Sequence, residues 1–246
     1  MSLYIWLDAG HGGKDPGATG HGLQEADVVL KLCKYLNDAL GAYEGVKVSL
    51  TRWQDKYVSL NDRCKMANAA GADVFISMHN NSFSDSSAHG YESFVLHGAY
   101  SSTQKWRGVV HDEVMGLLKE HGIRDRGKKE AGFYVIKYTK MTACLFENLF
   151  ISNPKEAKLL GDNNFLMDLA RAYARGLAKA FNLKEKEVQT PEKDSGGSEE
   201  SGGDSNDEWV RVQINGEQKH AFNDPNNAVK WVKDTVKAGD VINIKR

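Results

Sequence analysis

The chain has 246 residues, of which 41% are hydrophobic and 26% charged, and its formal net charge is -1. That is enough chain for one or two domains with a real core, and the near-neutral balance offers no basic field to recommend a nucleic-acid partner. The three cysteines, Cys33, Cys64 and Cys144, are odd in number and widely spaced, so neither a disulfide framework nor a zinc knuckle is implied.

In chain order, short apolar runs predict strands over Leu3 to Leu7, Val46 to Leu50, Val74 to Met78, Glu92 to Leu96, Phe133 to Ile136 and Cys144 to Phe146. Between them, Glu25 to Leu40, Leu60 to Ala70, Thr103 to Glu120 and Leu166 to Phe181 carry apolar residues at helical spacing. The stretch NPKEAKLLGD adds a short helix from about Pro154, capped by Asn153 and closed by Gly161. This alternation predicts an α/β fold, a largely parallel twisted sheet of about six strands with helices on both faces. Function gathers at strand ends in such folds.

Residues 184–208 break the pattern, with nine acidic and three basic residues, four glycines and no aromatic. Such a stretch cannot bury enough apolar surface to fold. It predicts a flexible acidic tether spanning roughly 25 to 30 Å on average. The expected domains are therefore 1–183, the linker 184–208, and a small C-terminal α+β module over 209–246. In that module WVRVQING reads as a strand before an Asn-Gly turn, DPNNAVKWVKDTVKAGD as a helix capped by Asp224, and VINIKR as a last strand. Its 38 residues lie near the lower limit for an independent core, so dimerisation or packing on a target is the expected means of holding it.

The opening MSLYIWLDAGHGG carries no basic leader, no long apolar stretch and no cleavage site. Synthesis in a cytoplasm is expected, and nothing further along is long and apolar enough to span a membrane.

The segment LDAGHGGKDPGATGHGLQEADV places His11 among glycines just past the first strand and Glu25 at the start of the first long helix. A phosphate-cradling loop is excluded, because Lys14 is followed by Asp15 and Pro16 and not by the hydroxyl residue that holds magnesium. His79 lies past VFISM and Glu147 past ACLF. Two imidazoles and a carboxylate form the ligand set of open catalytic zinc sites, which His11, Glu25 and His79 supply, with Asp8 or Asn80 as orienting groups. The competing readings are a satisfied strand-end histidine and an ordinary first-turn carboxylate. For Glu147 the competing reading is a strand-end carboxylate paired with a cation such as Arg63.

LDAGHGGKDPGA, QEADVVLKLCKYL, LTR, SLNDRCKMANAAGADVFISMHNN and MTACLFENLFISNP together resemble the zinc-dependent N-acetylmuramoyl-L-alanine amidases that cut bacterial peptidoglycan. The likeness covers residues 3 to about 182. It implies that His11, Glu25 and His79 bind one zinc ion and that Glu147 is catalytic, shuttling a proton from water to the leaving amine of L-alanine. Two departures stand out, Leu149 where the family usually has glycine, and MTAC where a proline commonly follows the methionine. Leu149 is expected to narrow or reshape the cleft.

Weaker candidates for substrate contact are Asn80, Arg63 and Lys129. Arg52 and Arg63 also read as loop braces, and Lys128 and Lys129 as part of a solvated charge run. The polar loop NNSFSDSSAHG is expected to wall an open groove, with Phe83 either anchoring the loop in the core, the preferred reading, or stacking on sugar. The C-terminal module, with seven basic and four acidic residues and so a net +3, faintly resembles wall-binding repeats. That resemblance implies an enzyme tethered to its polymer. A wall-cutting enzyme made without an export signal is expected to reach the wall by another route, as phage endolysins do through a holin-type pore, the favoured role, or as mother-cell lysis enzymes do when sporulating cells open. A carboxypeptidase acting on the stem peptide and a non-catalytic wall-binding protein are the alternatives.

Overall fold

The computed structural model describes residues 2–186, 210–214, 217–222 and 242–245. The chain divides into two compact units, Met1–Lys184 and Glu185–Arg246.

In the first unit the elements are β1 (Leu3–Ala9), β2 (Thr19–Gly20), β3 (Leu23–Gln24), α1 (Glu25–Leu40), β4 (Val46–Leu50), α2 (Leu60–Ala70), β5 (Val74–Asn81), β6 (Tyr91–Val95), α3 (Ser101–Glu120), β7 (Asp125–Glu130), α4 (Tyr134–Tyr138), β8 (Thr142–Phe150), α5 (Pro154–Leu160) and α6 (Asn163–Phe181). Six of the strands form one sheet in the order β4-β1-β5-β8-β6-β7. All neighbours run parallel except β6 and β8, which are antiparallel. The expected six-stranded, mostly parallel sheet with helices is present.

Strand side chains alternate between the two faces, and this sorts the core. Ile5, Leu7, Val74, Ile76, Met78, Cys144, Phe146, Tyr91 and Val95 point to one side and pack with buried residues of α1, α3 and α6 in the larger cluster. Trp6, Phe75, Ala143, Leu145 and Phe94 point to the other, where α2 and α4 supply Cys64, Ala67, Val135 and Ile136. The second layer is thin. It leaves the ends of β5, β8 and β6 uncovered by helix on that side, so Ser77, His79, Glu147 and Glu92 follow the apolar residues along one face.

Local signals explain the helix ends. Ser59 accepts from the Asp62 N–H and Asp162 from the Asn164 N–H, while Asn153 caps α5 ahead of Pro154. All three cysteines are buried and free.

One pair of elements is exchanged relative to the sequence reading. The apolar run Phe133 to Ile136 is not a strand but enters the short helix α4, burying Val135 and Ile136. The sixth strand is instead the charged run Asp125–Glu130. An edge strand needs only backbone pairing, and charged side chains suit an exposed edge. A short apolar run does not reveal its period.

In the second unit β9 (Val210–Ile214), β10 (Glu217–Phe222) and β11 (Ile242–Lys245) form an antiparallel sheet in the order β10-β9-β11. β10 was not anticipated. The expected helix after Asp224, the Asn215-Gly216 turn, Trp209 and residues 187–208 of the tether lie outside the described residues. No described helix is long and apolar enough to cross a membrane.

Candidate metal and catalytic site

β1 ends at Ala9, and the chain turns through Gly10 and His11, the latter in the left-handed region with φ 58°. Two glycines are required here by space. A Cβ on Gly10 would lie 2.3 Å from the His79 ring, and one on Gly17 would lie 2.6 Å from Glu25 Oε2 and 2.7 Å from the His11 ring. The glycines of the motif thus make room for the ligand side chains themselves.

His11, Glu25 and His79 converge. Glu25 Oε1 lies 3.2 Å from His11 Nε2 and 2.9 Å from His79 Nδ1. One ligand atom from each residue falls within 4.8 Å of the others, a group able to hold a metal ion. The imidazole rings stand edge to face at 5.0 Å. Glu25 is 3% exposed, and its carboxylate also accepts the N–H of Ala18 at 2.9 Å and of Asn80 at 3.0 Å. The histidines are partly open, with side chains 25% and 19% exposed. That combination leaves a face for substrate.

The electrostatics fit a cation. Burial disfavours charge on all three groups, yet hydrogen bonds between them prevail. The Glu25 carboxyl is held well below the usual carboxylate range by both imidazoles. Against its own burial, the His11 imidazole is raised to about 9 by Glu25 and Asp15, and His79 is raised by Glu25 and Glu147. The buried carboxylate draws protons onto both rings, and a divalent ion satisfies the same demand for positive charge. Asp15 Oδ2 lies 2.9 Å from His11 Nδ1, a contact that favours the proton on that nitrogen and leaves the Nε2 lone pair for a metal.

Glu147 lies on β8 as the register partner of His79 on β5. It is half-buried, and its Oε2 is enclosed without a hydrogen-bond partner. Burial pushes its carboxyl up to about 7, with His79 opposing and Glu25 and Glu92 adding to the rise. The competing pairing with Arg63 does not occur. Arg63 is buried, with its NH1 2.9 Å from Asp8 and donating also to Ala9, its Nε donating to Val58 and its NH2 to the His11 carbonyl at 2.5 Å. It braces the His11 loop and is not disposed for substrate, and Asp8 is committed to Arg63 and Ser77. Arg52 braces the same loop through the carbonyls of Ala9, Gly10 and Ala26.

Asn80 is also corrected as a substrate contact. Its side chain follows the strand alternation away from His79, is 3% exposed and donates to the Asn148 carbonyl at 2.5 Å. It serves the site through its backbone N–H to Glu25. Lys129 is on the exposed edge strand β7, with its ammonium on the carboxylate of Glu92. Phe83, expected in the core, is 61% exposed, because its loop is held by backbone bonds such as the Phe83 N–H to Ser152 Oγ at 3.1 Å.

Leu149 does not reach the cleft. It sits at φ 63° and is fully buried among core residues, so the backbone conformation that suits glycine here turns the leucine inward. The register between β5 and β8 shifts at this point. Asn148 ties the irregularity, donating to the carbonyls of His79 at 3.1 Å and Phe146 at 3.3 Å and accepting from the Tyr173 hydroxyl at 2.7 Å.

Residues 5–179 match the N-acetylmuramoyl-L-alanine amidase family. The chain belongs to that family. Among its relatives are an endolysin of Bacillus phage SPP1, 45% identical over 186 residues and covering 76% of this chain and 69% of the phage protein, and the sporulation-specific N-acetylmuramoyl-L-alanine amidase of Bacillus subtilis, 44% identical and covering 73% and 69%. Among solved structures, the catalytic domain of CwlV from Bacillus (Paenibacillus) polymyxa var. colistinus superposes with a TM-score of 0.68 at 32% identity, covering 74% of this chain and 99% of that one. An amidase from Clostridium difficile 630 gives 0.70 at 28% identity, covering 74% and 97%. The activity is thus amide hydrolysis on peptidoglycan, and the carboxypeptidase and non-catalytic alternatives fall away.

The sequence reading missed Asp15, Asn148 and Glu92. Asp15 stands four residues after His11 within the quoted motif, and Glu92 is a lone acid inside the apolar run YESFV. Both signals were present.

Proposed function

We propose that His11, Glu25 and His79 hold one zinc ion and that Glu147 is the general base and acid of peptidoglycan amide hydrolysis. The observation that carries this is the convergence of the three ligands beside a carboxyl group whose Oε2 is enclosed and unpartnered. The donor set, two imidazoles and one carboxylate with an open side, suits zinc in catalytic use. The chemistry such an ion supplies when bound is Lewis acidity, polarising the amide carbonyl and lowering the pKa of water toward about 7.

Glu147 does the proton work. With its carboxyl pushed up to about 7, it accepts a proton from the attacking water and returns one to the departing nitrogen in the same pH range. The C–N bond between the muramic acid lactyl group and L-alanine breaks, the oxygen of water joins the lactyl carboxyl, and the amine leaves with the proton. Asp15 fixes the His11 tautomer, while Arg63, Arg52 and Gly10 hold the loop and rings in place.

By likeness to the phage relative, we further propose an endolysin role, in which protein made in the cytoplasm reaches the wall through a holin-type pore or on lysis. The C-terminal module, residues 209–246, which carries the basic charge, is proposed to bind the wall at the end of the acidic tether, which raises local substrate concentration without new catalytic contacts, with dimerisation through that module as a further means of holding it. Sedimentation of the isolated unit with purified walls tests that role, and failure to sediment while the full chain does would reject it.

The activity is tested by product analysis of digested peptidoglycan. New amino-terminal L-alanine without new reducing sugar ends is expected. Release of a carboxy-terminal amino acid instead would overturn the reading.

A further inference from the structure

Beside Glu147, away from the metal ligands, lies a second cluster that the mechanism leaves unused. Register partners carry one face of the sheet sideways from His79 on β5 to Glu147 on β8, then to Glu92 on β6 and Gly127 on β7. Lys129, two residues after Gly127, shares that face and lies opposite Phe94. Neighbouring strands are spaced by about 4.8 Å, so these groups form a row running outward from the reacting centre.

Glu92 is the hub of the cluster. Its side chain is only 5% exposed, and its carboxylate receives the ammonium of Lys129 and Asn81 Nδ2 at 2.5 Å, while Arg126 forms an ion pair with it, Nε at 3.3 Å but without a hydrogen bond. A buried carboxylate needs one cation for neutrality. Here two cations meet one anion, leaving a net +1. The surplus sits outward, because the Lys129 side chain is 41% exposed, and an ammonium has three donors, of which Glu92 needs one. The Lys129 backbone is pinned, since buried Arg107 donates to the carbonyls of Lys129 at 3.1 Å and Ser93 at 3.2 Å. A lysine with a fixed backbone and an anchored yet exposed ammonium is built to meet an anion.

We propose that Lys129 and Arg126, gathered by Glu92, form a subsite for the α-carboxylate of the second residue of the stem peptide, so that the amidase favours stems with a free acid there over amidated ones. The inference rests on the amidase reading above. In that reading Glu147 protonates the L-alanine nitrogen, so the leaving peptide extends from Glu147 across β6 and β7 while the glycan lies toward His11. The second residue is a glutamate joined through its side-chain carboxyl, and its α-carboxyl stands about five bonds from the alanine nitrogen, roughly 6 Å in an extended chain. That reach matches one to two strand spacings. Between the metal ligands and this cluster stands Glu147, whose unpartnered Oε2 offers an acidic peptide no attraction. The cluster supplies the counter-charge.

The test compares soluble muropeptides that differ only in carboxylate or carboxamide at that residue, cleaved by the full zinc-loaded chain. The wild-type protein is expected to favour the free acid about tenfold in kcat/KM, mostly through KM, with the preference shrinking as salt rises because the ammonium is partly exposed. Lys129→Met should bring the ratio of the two kcat/KM values toward one, and Lys129→Arg should retain most of the preference. Equal cleavage of both substrates by wild type, or an unchanged ratio in Lys129→Met, would overturn the subsite and leave the amidase reading intact. Cleavage of neither substrate would overturn both. If Lys129→Met does not fold, the salt titration of wild type decides alone, since a preference indifferent to salt contradicts the proposal.

Discussion

The two faces of the central sheet use alternate residues of the same strands for opposite purposes. On β5, Ile76 and Met78 enter an apolar core sealed by α1, α3 and α6, while Ser77 and His79, between and beyond them, belong to a polar face. On β8, Phe146 joins the core and Glu147 the site. What separates the faces is helix cover. The α2 and α4 layer is too short to reach the strand ends, so those positions are free for groups that need water and substrate. A two-residue period thus writes a core and a catalytic site into one strand.

The comparison is broken most severely on the polar face. His79→Ala removes one proposed ligand, and hydrolysis of purified walls should fall by at least about 1,000-fold with loss of bound metal, while the thermal midpoint moves little. On the apolar face the pattern inverts. Ile76→Ala, at a fully buried position, should cost about 2 to 5 kcal/mol in urea denaturation, with kcat of the folded fraction retained. If Ile76→Ala abolished turnover in folded protein, the separation of the faces would be wrong.

Between the faces lies the irregularity at Asn148 and Leu149. Asn148→Leu removes the donors to the His79 and Phe146 carbonyls and should cost about 1 to 3 kcal/mol, with kcat reduced about tenfold because the His79 to Glu147 spacing is no longer pinned. Asp15→Asn acts on the metal side alone. Competition with a chelator should show metal affinity lowered about 10-fold to 100-fold. A smaller effect concerns the outer surface of the α-helical layer. Although burial opposes it, Glu113 is held below the usual glutamate range by Lys179 and Arg175. Its contribution to stability is therefore present above that range and lost as pH falls through its lowered value. Urea midpoints of wild type and Glu113→Gln should differ at pH 6 and converge as the pH falls through that lowered value.

Much of this site was legible in the sequence, because the proposed ligands follow apolar runs or open a long helix, and strand ends gather on one rim in α/β folds. The edge of the sheet was not. DRGKKE became β7 and FYVIK became α4, since an edge strand is stabilised by backbone pairing that side-chain patterns do not report. Roles that depend on side-chain direction were also hidden. Arg63, a candidate for substrate contact, is consumed by Asp8 and loop carbonyls, and Leu149 points into the core because of a positive φ that only coordinates reveal. Asp15 was within the opening motif, but its bond to His11 depends on how the glycine-rich loop folds back on itself.

The most direct test of the central claim is bound metal measured beside wall hydrolysis for wild type and Glu147→Gln. One zinc per chain in both proteins, with hydrolysis by Glu147→Gln reduced about 100-fold to 10,000-fold, is the predicted result. Wild-type rates from Glu147→Gln, or a fully active chain free of metal, would contradict the account.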